Sequence, residues 1–355
     1  TNNPIIHSMA FLPTGLGREL FQENLRVKDQ IINLHWLGDI TLSIEEIGSL
    51  RQKCVWTLHD QWAFCGAEHY VTPPLNDCSF SDDMRFSFGY SKHNRDKSEK
   101  GIDINRATWI RKLRSWRKKI HIICPSNWMS ECVSQSYLMK DFPRSVIPYP
   151  IDLKTWAPVN QAQAREILGL PIDIPLILFG ADGGTKDSRK GADILFEALS
   201  CLKTNLDSER LKKLRLVIFG QSKPKDQIEF GFPSIYLGRL HDDVSLRLLY
   251  SAADVFVIPS RQDNLPNTGL EAQSCGTPVV AFRTGGLPDI VNHQVTGSLA
   301  DPFNSVSLAA SIKWVLENPD HENLRRSARL HAEKNWNPLR IARMYSDLYK
   351  EILEN

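Results

Sequence analysis

The sequence predicts an α/β protein built from two doubly wound, parallel-sheet domains. The second half carries short, almost continuously apolar runs that alternate with helical patterns, and three of these runs end in glycine. The runs are 176–180, 216–220, 235–238, 254–258 and 278–282. Strands of this composition are buried on both faces, as in a parallel sheet covered by helices. Three similar runs in the first half, at 31–36, 54–59 and 120–125, predict a second sheet.

A proline-rich segment divides the two halves. Residues 142–158 include Pro143, Pro148, Pro150 and Pro158, a density typical of a linker. The predicted organisation is therefore a first domain over 1–150, a second over 151–335, and a last helix over 336–355 that packs back on the first domain. We expect the two domains to face each other across a cleft that holds two substrates, and residues 69–106 to form a long surface loop.

Composition and charge exclude several classes of function. The net charge of +2 gives no general attraction to nucleic acid, so no nucleic-acid partner is expected. We find no apolar run long enough to cross a bilayer. The seven cysteines are scattered and include no C-x-x-C pair, which favours reduced thiols in a cytoplasmic protein. The chain begins at Thr1 and not at Met, and we expect an upstream segment to be missing.

The most informative segment is 260–272, which lies between a predicted strand and a predicted helix. It places two carboxylates, Asp263 and Glu271, eight residues apart. Pro266 suits the first helical position, which leaves the N–H groups of Asn267 and Thr268 at a positive helix end. Such an end binds anions such as a diphosphate, and a carboxylate one turn deeper can accept hydrogen bonds from sugar hydroxyls. Together these features indicate a nucleotide-sugar site.

Several motifs along the chain occur in the order and spacing of a known family. They are 33–36, 56–60, 125–128 and 146–152 in the first half, and 189–191, 249–254, 263–271, 276–280 and 285–289 in the second. With these motifs the chain resembles the retaining glycosyltransferases of the GT-B fold, and most of all the bacterial exopolysaccharide, capsule and colanic-acid family. The resemblance implies a hexose transferred from a nucleotide diphosphate sugar, UDP-glucose first, to a saccharide or lipid-linked acceptor.

The resemblance also implies roles for individual residues. His59, Asp263 and Lys190 are the implied catalytic residues: His59 contacts the donor sugar, Asp263 faces its 3-hydroxyl and Lys190 neutralises the leaving diphosphate. The implied donor-binding residues, besides Lys190, are Thr185, Lys186, Leu240, Leu265, Asn267, Thr268 and Glu271. Within this set Glu271 holds the ribose, and the backbone at Leu240 contacts the base.

The sequence departs from the family at four points. Asp263 stands where the family has Glu, Gly184 stands where it usually has an Arg, and the linker motif reads Pro-Tyr-Pro. The strand–glycine–helix unit that opens the first domain is also not found, so we expect the first domain to be incomplete. Lys186 or Arg189 is the candidate replacement for the missing Arg.

Alternative interpretations stay open for most of these residues. Glu271 also suits a helix N-terminus without any ligand, Lys190 could be a solvated surface side chain, and His59 could be a core histidine or a partner of Asp60. We interpret His35, at the end of the neighbouring strand, as structural. Asp263 and Glu271 could instead be a glycosidase pair. A nucleotide-sugar-binding protein without turnover, or an enzyme resembling UDP-N-acetylglucosamine 2-epimerase, remains an alternative for the whole chain.

Metal and membrane partners are judged from two further patterns. The chain has no Asp-x-Asp pair, which metal-dependent nucleotide-sugar enzymes use, so neither a metal nor another cofactor is expected. Residues 109–120 are basic and amphipathic, with Trp109, Leu113, Trp116 and Ile120 on one helical face. This face predicts either peripheral contact with the inner face of a membrane or, as we favour, packing into the core with the basic side chains, Lys112 among them, on a solvated face.

Overall fold

The computed structural model of the chain describes residues 31–37, 42–71, 84–95, 100–180, 187–205, 208–223 and 233–354. Within these ranges the chain divides into two compact units. The N-terminal unit contains the residues up to Pro148 together with those from Ala342 onward, and the C-terminal unit is Tyr149–Ile341. The sequence predicted these boundaries after residues 150 and 335.

The N-terminal unit contains a four-stranded parallel sheet in the order β1-β2-β3-β4. Its strands are β1 Ile31–Leu34, β2 Lys53–Thr57, β3 His121–Cys124 and β4 Arg144–Val146. Its helices are α1 Ile44–Ser49, α2 Arg85–Phe88, α3 Ile104–Ser115 and α4 Asn127–Gln135. Tyr349 of the last helix accepts a hydrogen bond from Asn33 at 2.8 Å, so this helix packs at the β1 edge.

The C-terminal unit contains a six-stranded parallel sheet in the order β10-β9-β8-β5-β6-β7. The strands are β5 Leu176–Gly180, β6 Arg215–Phe219, β7 Ser234–Tyr236, β8 Val255–Ile258, β9 Val279–Phe282 and β10 Gly297–Ala300. The helices are α5 Gln161–Ile167, α6 Ala192–Asn205, α7 Ser208–Lys213, α8 Asp243–Ala252, α9 Asn267–Ser274, α10 Ser305–Leu316 and α11 His321–Asn335. The last helix of the chain, α12, is Pro338–Glu354. The predicted α/β class with two parallel sheets is confirmed.

Apolar residues on both faces of the large sheet explain why it is parallel. Side chains of β5, β6 and β8 alternate between two buried clusters, so that Leu178 and Phe256 lie in one and Ile177 and Val257 in the other. A strand buried on both faces needs helices on both sides, which only crossover connections supply. This arrangement brings the carboxyl ends of the strands to one edge, where ligands bind in such sheets.

Two strands lie where the sequence predicted none. Strand β4 lies inside the predicted proline linker, and the N–H of Ile122 bonds to the carbonyl of Pro143 at 2.8 Å. A proline beside an edge strand removes no ladder bond, which is why the prolines did not exclude a strand. Strand β10 begins with Gly297 and Ser298, which are weak strand formers.

The predicted surface loop over 69–106 was wrong in the part that the structure describes. Met84, Phe86 and Tyr90 are buried in the core, and Phe86 belongs to the short helix α2. Because aromatic side chains bury large apolar areas, this segment contributes to the core of the N-terminal unit.

The basic segment 109–120 is not one continuous helix. Helix α3 ends at Ser115, and Trp109, Trp116 and Ile120 are buried in the core. Leu113 is the exception, since 42% of it is exposed. The face predicted to contact either lipid or the core is therefore largely in the core. None of the helices in the described ranges has the length and apolar character needed to cross a bilayer.

Candidate functional site

A cavity opens at the carboxyl edge of the large sheet. Its volume is about 510 Å³, within the range of about 300–1,000 Å³ that is usual for small-molecule pockets. Four structural segments line it: the end of β6 with the residue after it, the loop after β7, helix α8 and helix α9. The lining residues are Phe219, Gly220, Arg239, Leu240, His241, Leu246, Tyr250, Thr268 and Glu271.

Glu271 is the acidic residue of this cavity. Its carboxylate accepts a hydrogen bond from the Tyr250 hydroxyl at 3.0 Å. Burial raises the pKa of Glu271 to about 7, and this effect exceeds the lowering effect of the Tyr250 hydrogen bond. The carboxylate therefore changes between its charged and neutral forms near neutral pH, and in its charged form it can accept further hydrogen bonds from a ligand.

Helix α9 begins one residue later than the sequence predicted. Pro266 is the residue before the first turn, with an extended ψ of 125°, so the prediction that it occupies the first helical position was wrong. Such boundaries depend on the cap geometry, which propensity does not determine. Pro266 has no side-chain group that could cap this end of the helix. Asn267 and Thr268 are its first two residues; Asn267 is exposed and Thr268 lines the cavity.

The two predicted leucine contacts differ in their surroundings. Leu240 is partly buried and lines the cavity. The side chain of Leu265 is only 3% exposed and packs in the core of the C-terminal unit. Any contact of Leu265 with a ligand would therefore have to come from its backbone.

Asp263 is buried beside two cations. Its carboxylate accepts from Lys190 Nζ at 2.8 and 3.1 Å and from Arg189 Nη1 at 2.7 Å. Burial alone would raise the pKa of Asp263, but Lys190 and Arg189 outweigh it and hold this pKa below its ordinary value. The carboxylate is thus ionised at neutral pH. The implied catalytic residues Asp263 and Lys190 are in direct contact, and Arg189, named only as a possible replacement, completes the cluster.

Glycine makes this cluster sterically possible. Gly191 has a φ of +66°, and a β-carbon there would lie 1.9 Å from the carbonyl oxygen of Pro259. Arg261 joins the same two segments, since it bonds to both carboxylate oxygens of Asp193 at 2.6 and 2.8 Å. The loop after β8 and the turn before α6 are therefore held together on both sides of Lys190. Thr185 and Lys186, also predicted to bind the donor, lie outside the described residues.

His59 lies in the N-terminal unit, just after β2, in contact with a second histidine. His35 Nδ1 is 3.0 Å from His59 Nε2, and the two rings stack. Burial lowers the pKa of both residues; His35 lowers that of His59 further, and Asp60 raises it. We interpreted His35 as structural, but β1 and β2 are parallel neighbours with Leu34 opposite Trp56. Because parallel strands end at one edge, this pairing would have indicated that the two histidines meet.

A carboxylate organises the residues beside the histidine pair. Asp60 Oδ2 accepts from His69 Nδ1 at 2.7 Å and from Trp36 Nε1 at 3.0 Å, while Oδ1 accepts from the backbone N–H of Trp62 at 2.9 Å. The only contact we predicted for Asp60 was with His59, and the frame formed with Trp36 and His69 was missed.

No group of three or more His, Cys, Asp or Glu side chains within the described ranges is arranged to hold a metal ion. The six cysteines that the structure describes are free thiols, and five of them are buried. The metal-free donor site stays a prediction from the sequence.

Comparison with known proteins places these residues in context. Residues 175–318 match the family model described as "Glycosyl transferases group 1". This segment contains Lys190, Asp263, Glu271 and the whole cavity.

Two curated relatives are both named D-inositol 3-phosphate glycosyltransferase. The one from Saccharomonospora viridis is 32% identical over 230 residues, which cover 60% of this chain and 51% of the relative. The one from Xylanimonas cellulosilytica is 36% identical over 180 residues, which cover 46% and 40%. The chain thus spans about half the length of the curated relatives that it matches.

Solved structures share the fold over nearly the whole chain. Sucrose-phosphate synthase from Thermosynechococcus elongatus has a TM-score of 0.66 at 21% identity, covering 95% of this chain and 77% of that one. Anabaena Alr3699/HepE, solved in complex with UDP and glucose, has a TM-score of 0.63 at 16% identity, covering 95% and 81%. The chain therefore has the GT-B fold of these proteins, and its residues 175–318 match the group 1 glycosyltransferases.

Proposed function

We propose that the protein is a glycosyltransferase that moves a hexose from a nucleotide diphosphate sugar to an acceptor hydroxyl. The observation that carries this proposal is the cavity lined by Thr268 and Glu271 of α9, inside the segment that matches the glycosyltransferase family. The N-terminal end of α9 suits a diphosphate, and the Glu271 carboxylate suits a pair of ribose hydroxyls.

UDP-glucose is the first candidate donor. Anabaena Alr3699/HepE, which has the same fold, was solved with UDP-glucose, and this supports the choice. The cavity wall includes the apolar side chains of Phe219, Leu240 and Leu246, and such a wall suits a flat base. Other nucleotide sugars are compared with UDP-glucose in the thermal-shift screen.

The cluster of Asp263, Arg189 and Lys190 suggests how the leaving group is handled. One buried carboxylate, that of Asp263, is shared by two cations. An incoming diphosphate competes with Asp263 for Lys190, and this cation then stabilises the charge that develops as the glycosidic C–O bond breaks. The N–H groups of Asn267 and Thr268 act on the same charge. Asp263, once it no longer pairs with Lys190, accepts a hydrogen bond from a hydroxyl of the transferred sugar.

The stereochemistry and the metal requirement are part of the proposal. The acceptor hydroxyl attacks from the face that the diphosphate leaves, which retains the anomeric configuration, and the protein's own cations stand in for a metal. His59 of the N-terminal unit contacts the donor sugar. Its Nε2 contacts His35, so a His59 ring of fixed orientation is presented to the substrate.

Two acceptor classes are open to test. A saccharide or lipid-linked saccharide of a surface polysaccharide is the first candidate, because it follows from the motifs of the whole chain. An inositol phosphate is the second, because the matching curated relatives are named for that substrate.

The experiment is a thermal-shift screen of nucleotide sugars followed by NMR detection of transfer. A donor present at 100 times its Kd should add about 2.7 kcal/mol, a rise of about 5–10 °C for a unit of this size. The variant Lys190→Ala should lose transfer, whereas Lys212→Ala, at an exposed surface ion pair, should not. Lys190→Ala activity equal to the parent's would rule out the leaving-group role. Donor binding without turnover would favour the binding-protein alternative, and isomerised UDP-N-acetylglucosamine the epimerase alternative.

A further inference from the structure

Trp36 is a large aromatic side chain that is exposed and yet firmly held. It follows β1, and 53% of it is accessible to solvent. Its indole N–H donates to Asp60 Oδ2 at 3.0 Å, and its ring lies 5.8 Å from the ring of His69. An exposed tryptophan with a fixed orientation offers a flat apolar surface that loses little conformational entropy on binding.

The residues that hold Trp36 are themselves fixed by the core. The same oxygen of Asp60 accepts from His69 at 2.7 Å, and the other oxygen accepts from the Trp62 backbone. His69 is 9% exposed and stacks on the buried ring of Trp62. The carboxylate therefore connects the exposed indole to a buried imidazole and to the backbone of a buried tryptophan, and these contacts hold the orientation of Trp36.

Hydrogen-bonding groups surround this apolar surface. His35 is the exposed neighbour of Trp36 in the chain and pairs with His59 at 3.0 Å. Asp60, which bonds to the indole, is partly accessible. An aromatic face with polar groups at its rim complements a pyranose ring, which has one apolar face of C–H groups and a rim of hydroxyls.

We propose that Trp36 is the stacking platform for the pyranoside ring of the acceptor, with the Asp60–His69 pair as its positioning residues. That the bound pyranoside is the acceptor rests on the proposed glycosyltransferase function, but the binding of a pyranoside at Trp36 does not depend on it. Because the donor is proposed to bind in the cavity of the C-terminal unit, a pyranoside held by the N-terminal unit is assigned as the acceptor.

The test measures binding of simple sugars by saturation-transfer NMR, separately from donor binding. The probes are methyl β-D-glucopyranoside, methyl α-D-mannopyranoside and myo-inositol 1-phosphate. The variants are Trp36→Ala, Trp36→Phe, which keeps a stacking face, and the matched control Phe88→Ala, which removes another exposed aromatic ring of the same unit. UDP-glucose binding is followed in every variant by thermal shift.

We expect the parent to bind at least one methyl glycoside with its axial C–H protons most strongly saturated. Trp36→Ala should weaken this binding at least tenfold, Trp36→Phe by no more than about threefold, and Phe88→Ala not at all, with the UDP-glucose shift unchanged. The proposal is overturned if the parent binds neither glycoside, if it binds only the inositol phosphate, or if Trp36→Ala binds glycosides as the parent does. The proposal is also overturned if Phe88→Ala weakens glycoside binding as much as Trp36→Ala does, or if Trp36→Ala loses the binding of UDP-glucose. A parent that binds glycosides but shows no shift with any nucleotide sugar would instead refute the proposed function.

Discussion

Replacement of Asp263 by Asn should destabilise the C-terminal unit strongly. Asn keeps the size of the side chain but removes the charge that holds Lys190 and Arg189. Breaking a buried ion pair by neutralising one partner costs about 3–5 kcal/mol. The side chain of Asp263 is 8% exposed, but those of Lys190 and Arg189 are 20% and 26% exposed, so water can partly solvate the two cations. We therefore expect the lower end of that range, about 3 kcal/mol, or about 6–12 °C in the Tm of this unit.

The matched control for Asp263→Asn is Asp187→Asn. Asp187 also pairs with Arg189, at 3.2 Å, but its side chain is 35% exposed, and Asn can still cap the following turn. An exposed pair of this kind contributes at most about 1 kcal/mol. Hydrogen exchange of β8 during urea unfolding follows the C-terminal unit separately from the other. Equal destabilisation by the two variants, or a change below about 1 kcal/mol in Asp263→Asn, would refute the assignment of Asp263 as the buried counter-ion.

Three further predictions concern Glu271, Gly191 and the histidine pair. The pKa of Glu271 is raised to about 7, so its contribution to stability is complete below about pH 4.3 and is lost as pH rises through 7. The free energy of unfolding of Glu271→Gln, measured in urea at pH 8, should therefore exceed that of the parent by about 3 kcal/mol. A variant no more stable than the parent would contradict this. Gly191→Ala should lose roughly 3 kcal/mol or more in the same assay, because its φ is +66° and its β-carbon would meet Pro259; a neutral effect would count against the close approach of the two segments. Because the pKa values of His35 and His59 are lowered, the N-terminal unit loses stability as pH falls from 7 to 5. The free energy of unfolding of His35→Asn, measured at pH 5, 6 and 7, should fall less steeply than that of the parent. An unchanged dependence on pH would exclude the histidine pair as the source of the loss.

Much of the fold could be predicted because its central strands are continuous apolar runs. Strands such as Leu176–Gly180 and Val255–Ile258 are apolar throughout, and a short apolar run bounded by glycine or proline is typical of a strand buried in a parallel sheet. The edge strands Arg144–Val146 and Gly297–Ala300 could not be found in this way. Their backbone is fixed by the neighbouring strand and not by their own propensity, so the information lies in the pairing.

The contacts of the candidate site could not be predicted from the sequence. The motif around Asp263 and Glu271 predicted a helix start, which the structure has one residue later, and the ligand-binding roles of the two residues stay predictions. That Asp263 neutralises Lys190 follows from the approach of two segments 73 residues apart, which local patterns do not specify. The burial of Lys112, expected on a solvated face, was missed for the same reason: its ammonium bonds to the carbonyls of Cys65 and Gly66 at 3.1 and 2.6 Å, and burial lowers its pKa to about 7.

The central claim is that the cavity beside helix α9 binds a nucleotide diphosphate sugar. Titration calorimetry with UDP-glucose, on the parent and on Glu271→Ala, tests it most directly. We predict one UDP-glucose bound per chain and an affinity at least about tenfold weaker in Glu271→Ala, because hydrogen bonds to a charged group contribute about 1.5–3 kcal/mol. The surface control Glu209→Ala, at an exposed ion pair, should bind as the parent does. Absence of binding by UDP-glucose and by every other nucleotide sugar, or equal affinity in Glu271→Ala and the parent, would contradict the claim.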